Sequence, residues 1–353
     1  MSYTVKVADL EKDKPTIVAI LERNRTRTDT DYSKRFDWIY LNNPFGKAKA
    51  WIIYNDKTGD AIGFTGVFPR PVFVEGKEYL AWNCGDFSID QKYRTLGVAL
   101  KLRREAKKGV DSGEVALLYA HPNKRMEVIH FRVGHQKISE MRRFALPLKF
   151  DRYLRQKISS NALAAALALP LNFGMKLKFA LKRSAKVAGQ IKAQIECSDQ
   201  HEQLFEQMKA QFKVIGVRNC QYLKWKFADH PNFKYQQFDC FENNRLKGTI
   251  FFTIKEETVH IIDVLIPNYR EMLVPLFLEF IKQVYKTKSG QTLSFILQKD
   301  NPIIPLLKSI GFKERDDATS SVIAYANESM NEKLAKTILQ GSNWYMTVGD
   351  RDA

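Results

Sequence analysis

The stretch "YRTLGVALKL", Tyr93–Leu102, decides how this chain is read. It follows a run with strand character, "YLAWNCGDFSID" (Tyr79–Asp90), and opens a run with helical spacing. At the junction stand Arg94, Gly97 and Ala99, in the order Arg94-x-x-Gly97-x-Ala99. A helix that begins directly after a strand presents free N–H groups and the positive end of its dipole, which together attract anions. Gly97 lets the backbone approach a phosphate, Ala99 keeps the next turn small, and Arg94 adds charge-assisted bonds. Diphosphate binding is the expectation. The spacing is neither the G-x-x-x-x-G-K-[ST] loop nor the G-x-G-x-x-G fingerprint.

Outward from this stretch the chain repeats itself. "WIYLNNP" (Trp38–Pro44) is echoed by "WKFADHP" (Trp225–Pro231), and "IDQKYRTLGVALKL" (Ile89–Leu102) by "LIPNYREMLVPLFL" (Leu265–Leu278). Arg94 lies 40 residues before Gly134 and Arg270 lies 41 before Gly311. A period near 180 residues means two copies of one domain, because solenoid units are far shorter. In copy one the pattern predicts strand, helix, a short helix near Lys34 to Leu41, then strands at Ala50 to Tyr54 and Ala61 to Phe68 joined by the turn "NDKTGD". A second hairpin turn, "VEGKE", precedes the long strand ending at Ile89. A helix to about Lys108, a strand at Val115 to Ala120, a helix at Pro122 to Phe131 and a strand around Arg143 to Leu148 follow. Copy two lacks the second hairpin: Trp225 to Arg270 is 45 residues where Trp38 to Arg94 is 56. The expected fold class is α+β, a mixed and largely antiparallel sheet with helices on both faces, in two tandem domains.

The 353 residues carry a formal charge of +17, which calls for an anionic partner. From Lys137 to Lys192 there are thirteen Lys or Arg against two acids, so the charge is a patch. Within it the uncharged run Ile158 to Met175 is short for a membrane span and is interrupted by Pro170, Asn161, Asn172 and Gly174. It reads either as a basic amphipathic helix on an anionic membrane surface or as an Ala/Leu-rich connector packed between domains. The four cysteines form no C-x-x-C pair and read as free thiols in a reducing compartment. The charged, alternating N-terminus has no signal-peptide pattern, so a cytoplasmic protein is expected, with possible contact at the inner membrane face. No metal motif is present in the sequence.

Arg94-x-x-Gly97-x-Ala99 after a strand resembles the acetyl-CoA motif R/Q-x-x-G-x-G/A of the GNAT N-acetyltransferase superfamily. "HPNKRMEVIHFRVGH" resembles that family's next element, N-x-x-a-x-x-l-Y-x-k-x-G-F. With its inserted hairpin and decayed second copy, the chain is similar to the tandem-GNAT proteins of the enhanced-intracellular-survival type, without their third domain. The resemblance implies the division 1–155 (acetyl-CoA-binding acyltransferase domain), 156–195 (basic helical connector), 196–340 (degenerate second domain) and 341–353 (tail). It implies that the amides of Arg94, Thr95, Leu96, Gly97, Val98 and Ala99 hold the pyrophosphate. Those of Phe87 and Ile89 would hold the pantetheine and the acetyl carbonyl, with Asn123 on the pantetheine arm.

By the same resemblance, the family's tyrosine acid falls on His130, and a histidine with an ordinary pKa near ~6.5 can donate that proton; a core-edge histidine is the alternative. Asp86 is the nearest candidate base, with Glu127 and His121 behind it, unless Asp86 serves a local turn. The tail "NWYMTVGDRDA" puts Trp344 and Tyr345 before Asp350 and Asp352. If those aromatics pin it near copy one, Asp350, Asp352 or the terminal carboxylate of Ala353 faces the acceptor; otherwise it packs on copy two as a last strand. In copy two, Glu271, Leu273 and Pro275 stand where the phosphate loop would be, so that copy is expected to lack CoA.

The leading expectation is an enzyme that transfers an acyl group, acetyl above all, from acetyl-CoA to an amine on a small molecule or amino sugar. A CoA-binding or membrane-surface scaffold, a Fem-like aminoacyl transferase and a nucleic-acid binder are the alternatives. The last is disfavoured because the basic stretch has almost no interleaved aromatics and no nucleic-acid motif. Oligomeric state is not legible.

Overall fold

Strand β2 (Lys49–Asn55) follows β1 (Tyr3–Val7) and the helices α1 (Lys14–Asn24) and α2 (Tyr32–Phe36) in a computed structural model that describes residues 2–26, 30–182 and 187–351. The run "AWII" in β2 is apolar throughout because both faces of the sheet are covered. Ala50 and Ile52 pack against the α1 and α2 side, and Trp51 and Ile53 against the opposite side. Next come β3 (Ala61–Val74) and β4 (Lys77–Ile89), joined at Glu75 and Gly76 with φ of +49° and +81°. Two positive φ values in a two-residue turn match the twist of the strands they join.

After β4 come α3 (Leu96–Asp111), β5 (Leu117–Ala120), α4 (Lys124–Arg132) and β6 (Gln136–Pro147). Helix α3 buries Val98, Leu102, Ala106 and Val110, a spacing of four that makes one apolar face. Gly109 extends that face, since a Cβ there would lie 2.1 Å from the Trp82 ring. A connector of α5 (Asp151–Arg155) and α6 (Asn161–Leu181) leads to the second half. That half runs β7 (Ala188–Lys192), α7 (Asp199–Lys209), β8 (Val214–Gly216), α8 (Cys220–Leu223), β9 (Gln236–Glu242), β10 (Arg245–Lys255) and β11 (Thr258–Leu265). It continues with α9 (Tyr269–Thr287), β12 (Thr292–Gln298), α10 (Ile304–Ile310), β13 (Lys313–Tyr325), α11 (Glu332–Leu339) and β14 (Trp344–Tyr345).

The main path of the sheet has the order β1-β2-β3-β4-β5-β13-β6-β12-β11-β10-β9-β7. Its pairs are antiparallel except β4 with β5 and β11 with β12, which α3 and α9 join as crossovers. The α+β class expected from the sequence is therefore what the chain adopts, with two halves of similar strand order side by side. The order also contains something the repeat does not announce. Strand β6 of the first half pairs with β12, and β13 of the second half pairs with β5. The halves exchange their last strands, and β6 and β13 pair with each other at the centre. A local pseudo-twofold runs there, and the repeated tryptophans meet across it. Trp38 and Trp225 stack at 4.7 Å, and each donates its indole N–H to the other's backbone carbonyl, at 2.9 and 3.1 Å.

The extra β3–β4 hairpin has a partner too: Val72–Val74 pair with β8, and β8 pairs in parallel with β14 of the tail. Cys197 and Cys220 form a disulfide with Cα atoms 5.5 Å apart, correcting the expectation of four free thiols; Cys84 and Cys240 are buried thiols outside the bridge. The two halves of the bridge lie 23 residues apart, before α7 and at the start of α8, a proximity that only the packing of those segments creates. The argument for a reducing compartment loses that support.

No single cut leaves both halves with complete sheets. Expressed alone, residues 1–155 would leave β5 without β13 and β6 with neither β12 nor β13, so that β6 loses both its ladders. This fragment is expected to lack a cooperative thermal transition by circular dichroism, and co-expression with residues 156–353 should restore one.

Candidate functional site

Strands β4 and β5 pair only from Ala81 to Asn83 against Leu117 to Tyr119. Beyond that point β5 ends at Ala120, while β4 continues to Ile89 with its β3 register shifted between Phe64 and Gly66. Asp86 lies in this bulge with φ +40°, in the left-handed region that a non-glycine residue adopts only when its surroundings impose it. The divergence opens an edge of backbone along Cys84–Ile89, and α3 begins just past its end.

A groove of about 700 Å³ occupies this place. Phe87, Ile89, Arg94, Thr95, Leu96, Ala99 and Asn123, anticipated from the sequence, share its wall. Thr95 caps α3 and Asn123 caps α4, each accepting from the amide three residues on. The Leu96 and Gly97 amides belong to the first turn of α3, where no intrahelical acceptor exists. A Cβ on Gly97 would meet nothing within 4 Å, so this glycine faces open space. Val98 turns inward to the core. Arg94 differs from expectation: its guanidinium donates to the Ile89 carbonyl at 2.7 Å and to Asn24 at 2.9 Å, tying the loop to α1. Arg25 and Arg125 also line the groove, and among the described residues no carboxylate does. The sequence reading missed both arginines, because nothing local tells a groove-lining arginine from a solvated one.

The proposed acid and base positions lie elsewhere. Asp86 is buried and accepts from Arg35 at 2.5 Å, Arg25 at 2.9 Å and the Tyr40 hydroxyl at 3.2 Å. Burial alone would raise its pKa, but the two guanidiniums outweigh this and hold it below the ordinary value. A carboxylate so saturated is an anchor under the bulge. His130 is buried behind the groove wall formed by Ile129, against His135, with Nδ1 unpaired. Burial first, then the Arg103 charge, keeps it neutral at pH 7, so it holds no imidazolium proton to give. Glu127 accepts from Ser321 of β13, and His121 beyond β5 has both ring nitrogens unpaired.

Asp350 lines only a small cavity of about 20 Å³, with Arg70, Asn83, Tyr119 and Tyr222. Its carboxylate accepts from Arg218 at 2.5 Å and Arg70 at 3.2 Å, and Arg218 also reaches Asp263 at 2.8 Å. Its carbonyl takes bonds from Asn83 and Tyr119 of the first half, each at 3.3 Å. Burial works against the Asp350 charge, yet Arg218 and Arg70 prevail and lower its pKa. Where the sequence suggests an acceptor-facing Asp350, the structure places a carboxylate held by two buried arginines, which ties the tail to both halves. Asp352 and Ala353 lie outside the described residues.

The second half repeats the design with a different content. Strands β11 and β12 pair from Thr258–Ile261 and then diverge, and β11 is bulged at Ile262, the counterpart of Asp86 by the Arg94–Arg270 offset. Here the tail fills the opening. Thr347 bridges to Leu297 and donates its hydroxyl to Asp263 at 2.9 Å, and the Tyr345 hydroxyl donates to the Val264 carbonyl. Glu271, in the first turn of α9, lines a cavity of about 700 Å³ together with Glu242.

Among solved structures the chain is similar to a GCN5-related N-acetyltransferase from Anabaena variabilis (12% identity, TM-score 0.66, covering 92% of this chain and 73% of that one). A GCN5-related N-acetyltransferase from Kribbella flavida matches at 9% identity and TM-score 0.62, over 93% of this chain and 72% of that one. Saccharomyces cerevisiae N-myristoyltransferase with bound myristoyl-CoA matches at 12% identity and TM-score 0.58, over 92% and 79%. At these identities the likeness is one of fold. No family model and no curated protein matches the sequence.

Two stability predictions follow from the buried charges. Asp350→Ala leaves Arg218 and Arg70 short of a partner and should cost about 3–5 kcal/mol, read as a lowered denaturation midpoint. Asp86 has a depressed folded pKa, so its contribution is complete above the unfolded value near ~3.9 and is lost as the pH falls through the lower folded value. The stability gap between the wild type and Asp86→Asn should therefore be constant from pH 5 to 7 (roughly) and shrink below about pH 4 in denaturant titrations.

Proposed function

We propose that the first half transfers an acyl group from an acyl-CoA thioester to an amine. The observation that carries this reading is the unpaired, bulged edge of β4 running into the N-terminus of α3, in a groove whose described lining includes Arg25, Arg94 and Arg125 and no carboxylate. An extended pantetheine arm can bond such an edge as an added strand would, and the pyrophosphate meets the first-turn amides of α3. Arg125 supplies positive charge at the wall, Arg25 is paired there with Asp86, and Arg94 holds the loop in shape.

An attacking neutral amine forms the N–C bond, and the tetrahedral oxyanion is held by amides of the bulge near Phe87. Collapse breaks the C–S bond and expels the CoA thiolate. The amine's proton leaves to solvent and the thiolate takes one from it, through the water that an open groove admits. His130 and Asp86 are assigned to the support of the groove. Acetyl is the smallest donor that fits this scheme, and the myristoyl-CoA held by the yeast neighbour keeps longer chains within it. In the second half, a filled strand opening and Glu271 at the helix start support a structural or acceptor-shaping role without CoA.

Gly97→Glu puts a carboxylate into open space at the proposed phosphate site without touching the core. It should abolish acetyl-CoA binding in calorimetry with the melting temperature unchanged, and Arg270→Ala should leave the affinity as it was. Unchanged affinity in Gly97→Glu would overturn the assignment. A thiol-release assay across acyl chain lengths and amines then identifies donor and acceptor.

A further inference from the structure

Helix α6 uses one narrow stripe to attach itself. Ala164, Ala168, Asn172, Met175 and Phe179 turn inward at spacings of four, four, three and four. Phe179 meets Tyr285 of α9, and the Asn172 side chain is clamped between the Phe150 amide and the Asp151 carboxylate, each at 2.7 Å. Lys182 at its end donates to the Ser309 carbonyl at 3.2 Å. The helix thus lies along the surface of the second half.

Its outer side is the opposite of what a water-facing helix carries. Leu169, Phe173 and Leu181 are 71, 69 and 71% exposed, and Leu163 and Leu177 stand beside them. An ordinary surface helix is polar on this side. The polar groups are instead basic and gathered at the ends. Residues 149–182 hold seven Lys or Arg against the single acid Asp151. Arg155 and Lys157 precede the helix, and Lys176 and Lys178 occupy its last turns.

We propose that α6 is a bilayer-docking element, seated in the plane of an anionic lipid surface. An apolar face about 31 Å long from 21 residues sinks into the acyl boundary while the flanking cations meet lipid phosphates. Charge decides between this occupant and a second copy of the chain: two such faces brought together would oppose like charges at both ends, whereas an anionic lipid surface complements them. Crossing the bilayer is excluded by the clamp on Asn172 at mid-helix, which holds the inner stripe on the protein body. This proposal stands apart from acyl transfer, since it uses none of the groove residues.

The test is co-sedimentation of the full chain with vesicles of phosphatidylcholine alone and with about a third phosphatidylglycerol, with light scattering for oligomeric state. Binding at least ~10-fold stronger to the anionic vesicles is expected. Leu169→Glu/Phe173→Glu should abolish it with the melting temperature kept, because both side chains are exposed. Lys176→Glu/Lys178→Glu should weaken binding and reduce its dependence on salt. No binding to either vesicle, equal binding by wild type and Leu169→Glu/Phe173→Glu, or a wild-type dimer that this variant converts to monomer without any vesicle binding would each overturn the proposal.

Discussion

The antiparallel pairing of β6 with β13 is the contact on which the rest of the chain depends. Each strand belongs in sequence to one half and completes the sheet of the other, so the halves are bound by backbone ladders in addition to side-chain contacts. The groove is a consequence. Strand β5 is only four residues long, yet it is held in place by β13, and β4 is held by β3 on its other side. With both anchored, the two parallel strands can part after Asn83 without the sheet coming apart, and the bulge at Asp86 is fixed from beneath by Arg35 and Arg25.

The same geometry recurs in the second half, and the tail makes the difference between the two. Thr347 and Tyr345 lie against β11 and β12 where the first half has open space. Burying Asp350 and Asp263 is tolerable because Arg218 reaches both and Arg70 reaches Asp350, a cluster with two charges of each sign. Gly216 is part of that arrangement: a Cβ there would lie 2.8 Å from the Arg70 guanidinium and 3.0 Å from the Asp350 carboxylate. Removing the tail would therefore loosen the centre of the molecule rather than only unmask a cleft.

What could be read beforehand was local. The turn residues before β4, the spacing of α3 and the Arg94-to-Ala99 run state their own conformations, and the repeat of Trp38 in Trp225 signals a second copy. The strand exchange could not be read, because β6 and β13 have the same alternation whether they pair within their own half or across it. Asp86 illustrates the limit for the site. Its place on the strand was legible, but its left-handed backbone and its two guanidinium partners come from residues 51 and 61 positions away. His130 matched a sequence position, while the inward turn of its ring depends on how α4 rests against β6 and β13. Cys197 and Cys220 are brought together by the packing of segments that carry no cysteine signature.

The asymmetry between the halves extends to their surfaces. The first half keeps the open groove and has arginines at its wall; the second fills its opening and carries α6 along α9. On the proposed reading the second half holds no donor, which is compatible with Glu271 in the first turn of α9 and Pro275 inside it. Its remaining constraints are to complete β6 and β13 and to support what lies on it. An exposed apolar helix costs solubility unless something covers it, and the basic residues at its ends make the covering selective. Under the two proposals made above, donor chemistry falls to one half and surface placement to the other.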